Sequence, residues 1–140
     1  MNLFKKLQPE WILRITLGVM YLYSGQDLIR HPTSWTQFIP FWLRELMGQV
    51  LAVPRYIQIQ GAVEIILGLT LLAWFLRPAI VKLASLLASI EFLAILILAL
   101  LPWSGANFLI TFRDIGLLGA SFALYLLFLR QNPASHSADE

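Results

Sequence analysis

Cysteine is absent from the 140-residue sequence, which excludes disulfides, thiol redox relays and thiolate metal sites supplied by the chain itself. Charge is scarce as well: Asp, Glu, Lys and Arg make up 13% of the residues, and hydrophobic residues 59%. Ordinary soluble domains carry about 25% charged and about 45–50% apolar residues. Too little polar surface remains to clothe a globule of this length in water, so a lipid bilayer is the expected partner of much of the exterior. The length allows one domain. Histidine occurs only at His31 and His136, too far apart to form a metal or haem pair within a monomer, and no metal site is expected. The P-loop, HExxH and GxSxG patterns of soluble enzymes are missing too. The ten Lys and Arg are scattered singly or in pairs without forming a stripe that could track phosphates, so nucleic acid is not an expected partner. The modest excess of +2 suits contact with anionic lipid headgroups.

Long apolar runs are what the sequence has in abundance. About 20 mostly apolar residues cover the roughly 30 Å hydrocarbon core of a bilayer, and segments 11–29, 57–76, 80–101 and 110–129 meet that requirement. Proline marks the breaks, at His31-Pro32, Arg77-Pro78 and Pro102-Trp103-Ser104-Gly105, because it cannot continue a helix ladder and disfavours helix in the residue before it. Lys5 and Lys6 before the first run resemble the start of a signal peptide, yet no small-x-small cleavage site follows, so the run reads as an uncleaved membrane helix. The expected fold is all-α: an antiparallel four-helix integral membrane bundle over residues 1–130, with short connectors making consecutive helices neighbours. Residues 131–140 are small and polar and are expected to be disordered.

Segment 32–56 is too long for a tight turn and too apolar for a solvated loop. Trp35, Phe38, Ile39, Trp42, Leu46 and Val50 recur at helical spacing, and Pro40 splits the stretch so that its main helix should start near Phe41. We read an interfacial or re-entrant segment between the first two membrane helices, lying over the outer mouth of the bundle. Lys5, Lys6, Arg14, Arg77, Lys82 and Arg130 fall toward one side and Arg30, Arg44, Arg55 and Arg113 toward the other. By the positive-inside rule, both termini are expected in the cytoplasm of a cell (inner) membrane protein.

Small residues mark the expected packing faces, since they let helix backbones approach in lipid. Arg14, Gly18, Tyr21 and Gly25 form one stripe on the first helix, and Gly61 and Gly68 flank Glu64 on the second. Ala84, Ala88 and Ser89 are assigned the same work on the third, and Gly116, Gly119 and Ala123 on the fourth.

Charged groups at bilayer depth cost at least about 2.5–3.5 kcal/mol each near a helix centre, so they turn toward partners, water or a ligand. At about 1.5 Å per residue, Glu64 lies about 10 Å from the outer end of its helix, Glu91 about 15 Å, and Arg113 and Asp114 about 5 Å. Asp27 closes the first helix at the same face. Four helices thus contribute polar groups to one depth band. Turned inward, Arg113 could neutralise Glu64 or Asp27, and Gln60 lies one turn from Glu64 on the same face. Glu64, Arg113, Asp114, Glu91 and Gln60 are therefore the candidate ligand or proton-relay residues, with Arg14 and Asp27 secondary. Two readings stay open: a charge-paired lock that only holds the bundle together, and a ligand, quinone or proton site.

Four stretches in order give the chain a family likeness: RITLGVMYLYSGQDLIRHP, the aromatic segment HPTSWTQFIPFWL, GAVEIILGLTLLAWFLRPA and FRDIGLLGASFALYL. Together they cover roughly residues 11–129. With its opening Arg-x-x-x-Gly helix, Gly-x-x-Glu-x-x-x-Gly helix and closing Arg-Asp helix, the chain resembles the DoxX family of small four-helix membrane proteins, including the DoxD-like subunits. Many relatives carry a lysine shortly after the second glycine of the first helix, where this chain has Gln26, Asp27 and Leu28. The resemblance implies association with membrane redox systems. The expected function is a subunit or accessory factor of a membrane oxidoreductase system that binds a quinone headgroup in the outer half of the bundle, with no covalently bound cofactor. Other membrane or soluble redox subunits are the expected partners, and a homo-oligomer is open. Whether the chain is itself an enzyme is open; any activity would be a quinone-linked oxidoreduction within a complex. A small solute or proton transporter and a purely structural assembly factor are the alternatives.

Overall fold

The structure, a computed structural model, describes residues 8–100 and 108–130. The expected break at 102–105 and the expected polar tail 131–140 lie outside the described residues. Among these, every regular element is helical. Helix α1 spans Pro9–Arg30, α2 Pro32–Trp35, α3 Phe41–Gly48, α4 Val53–Leu72, α5 Pro78–Leu100 and α6 Phe108–Arg130, with one 3-10 turn at Thr36–Phe38.

Proline starts these helices more than it ends them. Pro9, Pro32 and Pro54 occupy first-turn positions of α1, α2 and α4, and Pro78 opens α5, where the fixed φ is already helical and the missing N–H is not needed. That placement corrects the second long helix, expected at 57–76 and found at Val53–Leu72. Pro54 draws its start back past Tyr56, and at its far end Ala73 turns extended (ψ 107°). The apolar run continues beyond that point, but the last α4 carbonyls are held from outside the helix by Arg14. The expected start of a helix near Phe41 is met.

The four long helices form two intimate pairs, α1 with α4 and α5 with α6. Glycine explains the first. Gly18 lies against Gly68 and Gly25 against Gly61, so the two helices run antiparallel; a Cβ on Gly25 would sit 2.5 Å from the Gly61 carbonyl oxygen, and one on Gly61 2.7 Å from that of Gly25. In the second pair the Ser89 and Ser121 hydroxyls meet at 3.1 Å. Helices α4 and α5 are joined by the short 73–77 turn and touch, but pack far less closely than α1 and α4, whose backbones meet glycine to glycine.

Where the pairs meet, Leu17, Leu67, Leu71, Val81, Leu124 and Phe128 form a continuous apolar core. It occupies the end of the bundle at which α4 stops and α5 starts. On α6 the small-residue expectation is overturned. Nothing lies within 4 Å of a Cβ built on Gly116 or Gly119, and Ala123 is exposed. The buried stripe of this helix runs through Asp114, Ser121, Leu124 and Phe128 instead; the carboxyl and hydroxyl that need partners set the inward face, and the glycines are left outside.

Outward faces are apolar on every long helix. Ile12, Ile15 and Val19 are exposed on α1, Ile59, Val63 and Ile66 on α4, and Leu83, Leu87 and Ile90 on α5. The inward faces carry Arg14, Glu64, Ser85, Asp114 and Ser121, the inverse of a water-soluble helix. By length and composition two helices can cross a membrane, Pro78–Leu100 and the Phe112–Arg130 part of α6, with mean hydropathies of 2.5 and 1.6. A third span results if α3 and α4, which meet at 96°, are taken together. The chain thus has the surface of a membrane protein.

Candidate functional site

At the end of the bundle opposite the apolar core, all four long helices contribute polar side chains. Tyr21 of α1 donates to Glu91 Oε2 of α5 at 2.9 Å, and Gln60 of α4 donates to Glu91 Oε1. One carboxyl group therefore ties three helices together. Tyr21 is only 1% exposed; a buried phenol needs a partner for its hydroxyl, and the position of Tyr21 on the glycine stripe of α1 aims it between the two helix pairs. Its ring packs against Phe92, centroids 5.5 Å apart.

Glu64 lies one turn beyond Gln60. It is 6% exposed, and its Oε2 has no hydrogen-bond partner. The Ser24 hydroxyl of α1 is beside it, and Glu91, Arg113 and Asp114 are its charged neighbours. Asp114 is wholly buried. Its Oδ1 accepts from Arg113 Nε at 2.7 Å, while Oδ2 is unpartnered. The structure thus brings together Glu64, Glu91, Gln60, Arg113 and Asp114, as the shared depth band suggested. It corrects their pairing: Arg113 forms its ion pair with the adjacent Asp114, and reaches Glu64 only as a nearby charge.

Asp27 and Arg14 stand apart from this cluster. The Asp27 carboxylate accepts from Trp35 Nε1 at 2.7 Å and pairs with His31 Nδ1 at 2.9 Å. It therefore anchors α2 to the end of α1 and does not meet Arg113. Arg14 is at the other end of the bundle, where Nε donates to the Leu71 carbonyl at 2.8 Å and Nη2 to that of Ala73 at 2.7 Å. Its role is to finish α4, whose last carbonyls lack partners within the helix.

Above the cluster is a cavity of about 770 Å³. Glu64, Gln60 and Arg113 line its polar side, and Met20, Leu28, Phe92 and Ile95 give it apolar walls. Segment 32–48 forms the roof through Trp35, Phe38, Phe41, Trp42 and Arg44. The expected cover over the polar end is therefore present as a short helix, a turn and α3. Volume and lining match sites for small amphipathic molecules, which are mostly apolar with a few placed polar groups. Among the described residues, no group of three or more His, Asp or Glu is arranged to hold a metal ion.

Several contributors escaped the sequence reading. Tyr21 was legible as a packing residue but not as the donor to Glu91. Ser24 carried no signal beyond its place one turn after Tyr21. Arg44 read only as one of the cations on the outer side, yet its Nε is buried in the structure.

Comparison with protein-family models, curated proteins and solved structures found no match.

Proposed function

We propose that the chain is a DoxX-like integral membrane protein whose polar cavity binds a quinone headgroup, acting as a subunit or accessory factor of a membrane oxidoreductase system. In this reading α1, α4, α5 and α6 all cross the bilayer, both termini are cytoplasmic, and the roof segment lies at the outer face of an inner membrane. Helices α1 and α4 are too polar to qualify on composition, but their polar residues turn inward and their outward faces carry Ile12, Ile15, Val19, Ile59, Val63 and Ile66, which suits lipid contact.

The observation that carries the reading is the unpartnered, buried Glu64 Oε2 on the wall of a cavity that also contains aromatic rings and Arg113. A quinone fits this lining on chemical grounds. Its ring and tail would lie against Met20, Leu28, Phe92 and Ile95; Arg113 would donate to a carbonyl oxygen or to negative charge developing on it; and the Glu64 carboxyl would exchange a hydrogen bond or proton with the ring oxygen. A quinone in this site supplies the electron-accepting group. The chain holds no cysteine with which to pass electrons, so the electron donor in this reading is a partner subunit.

Transport is less well supported. A conducting path needs polar groups through the whole thickness, and below Glu91 the bundle is closed by Leu17, Leu71, Val81 and Leu124. The Ser85 hydroxyl in that region bonds the Val81 carbonyl of its own helix. A purely structural role leaves Glu64 Oε2 without a purpose.

The test is quinone binding to the purified protein and to its Glu64→Gln and Arg113→Ala variants. Each substitution is expected to weaken binding about tenfold, the effect of losing one good hydrogen bond. Equal binding by all three proteins would sink the reading.

A further inference from the structure

We infer that Arg44, on the roof helix α3, is a third ligand-binding residue, beside Glu64 and Arg113, and grips an oxygen of the headgroup from the side opposite Glu64. This rests on the reading of the cavity as a ligand site and adds the shape of what it takes: a head with polar atoms at two separated positions.

Among the described residues, three buried side-chain atoms lack a hydrogen-bond partner: Arg44 Nε, Glu64 Oε2 and Asp114 Oδ2. Two of these residues, Arg44 and Glu64, line the same cavity. One orphan is an N–H donor of a guanidinium, and the other is an oxygen of a carboxyl. Buried polar groups in native proteins are nearly always satisfied, and a buried charged donor left unmade is among the least favourable exceptions. Two complementary orphans on one cavity are explained together by a molecule bridging them.

Local structure supports the assignment. Pro40 caps the start of α3, so Arg44 falls one turn into that helix. Its guanidinium carbon lies 5.8 Å from the centroid of the Phe41 ring, a cation–π distance that holds the side chain against the cavity roof. The roof is itself fixed to the bundle through Trp35, which bonds Asp27 of α1, and the first turn of α3 closes on the Pro40 carbonyl through the Leu43 and Arg44 N–H donors. Arg44 is therefore held over the cavity while Glu64 faces it from α4.

The prediction is tested with full-length protein and three probes: a decyl-substituted benzoquinone, decylbenzene, which has the same tail and no oxygen, and decyl phosphate. Binding is followed by fluorescence of Trp35 and Trp42 in the roof. The Arg44→Ala variant is expected to bind the quinone about tenfold more weakly and decylbenzene as well as the wild type does, with Arg44→Lys recovering part of the loss. Equal weakening for quinone and decylbenzene would assign Arg44 to roof packing alone and overturn the inference, as would unchanged quinone binding. A wild type that takes decyl phosphate and not the quinone, with the same dependence on Arg44, would overturn the quinone reading and leave the role of Arg44 standing. Binding of none of the three probes by the wild type would overturn both.

Discussion

Arg14 satisfies two carbonyls of another helix and stacks its guanidinium over Trp11, 4.2 Å from the ring centroid. It is 4% exposed, and its Nη1 meets Glu10 at 3.2 Å. A planar fork can address Leu71 and Ala73 at once, whereas an ammonium is a single point. Hydrogen bonds from charged donors contribute about 1.5–3 kcal/mol each and leave costly orphans when removed. Arg14→Ala is therefore expected to destabilise the protein by about 2–3 kcal/mol, with Arg14→Lys intermediate, as read by thermal unfolding in detergent micelles. Tyr21→Phe removes one of the two donors to Glu91 and is expected to cost about 1 kcal/mol, within the range for hydrogen bonds between membrane helices. A double-mutant cycle with Glu91→Ala isolates that bond; a coupling energy of zero would mean that the tyrosine only packs. The sequence made the carboxyl groups conspicuous because they interrupt apolar runs. It gave no comparable sign for Tyr21, whose ring suits a core and whose hydroxyl finds its partner seventy positions away, on a helix that only the tertiary fold brings near.

Between α1 and α4 the contact is backbone on backbone. A methyl at Gly25 would meet the Gly61 carbonyl oxygen at 2.5 Å, and one at Gly68 the Gly18 carbonyl oxygen at 2.8 Å. Backbone atoms cannot swing aside as a side chain does, so the helices must separate. Gly25→Ala and Gly61→Ala are each expected to destabilise by about 1–3 kcal/mol, the usual range for overpacking. Gly119→Ala meets nothing and is expected to be neutral or slightly stabilising. Unfolding titrations on the three variants check the contrast, and an equal loss at Gly119 would put a partner on that face of α6. The same comparison explains what was legible. On α1 and α4 the glycines recur every second turn beside Arg14, Tyr21 and Glu64, so size and polarity select one face. On α6 they conflict: Gly116, Gly119 and Ala123 mark one side, Asp114 and Ser121 another. Burial follows the polar groups, because an unsatisfied carboxyl in lipid costs more than a methyl-sized gap between helices. The boundaries of α1, α5 and α6 were closely legible; those of α4 were not, since Pro54 lies in a stretch read as interfacial and the arginine that closes the helix comes from a distant part of the chain.

Among the described residues the carboxyl cluster is gathered at one end of the bundle, and the apolar core, with Arg14, at the other, and this asymmetry bears on which helices can cross a bilayer. Helices α5 and α6 qualify as spans on hydropathy alone. For α1 and α4 the average conceals the pattern, because inward Arg14, Gln60 and Glu64 offset outward isoleucine and valine; the arrangement around the helix decides, and the mean cannot. If α4 crosses, Gln49 before it and Arg77 after it are on opposite faces of the membrane, and if α1 crosses as well, Gln8 shares a face with Arg77. All three positions are exposed, and the natural absence of cysteine makes each a unique label site once substituted. In right-side-out cells, Gln49→Cys is expected to react with a membrane-impermeant maleimide directly, and Gln8→Cys and Arg77→Cys only after permeabilisation. Labelling of Gln49→Cys and Arg77→Cys from the same side would mean that α4 does not traverse the bilayer. The cavity roofed by α3 would then open on the same side as the end closed by Arg14, and a headgroup site reached from the outer leaflet would have to be abandoned.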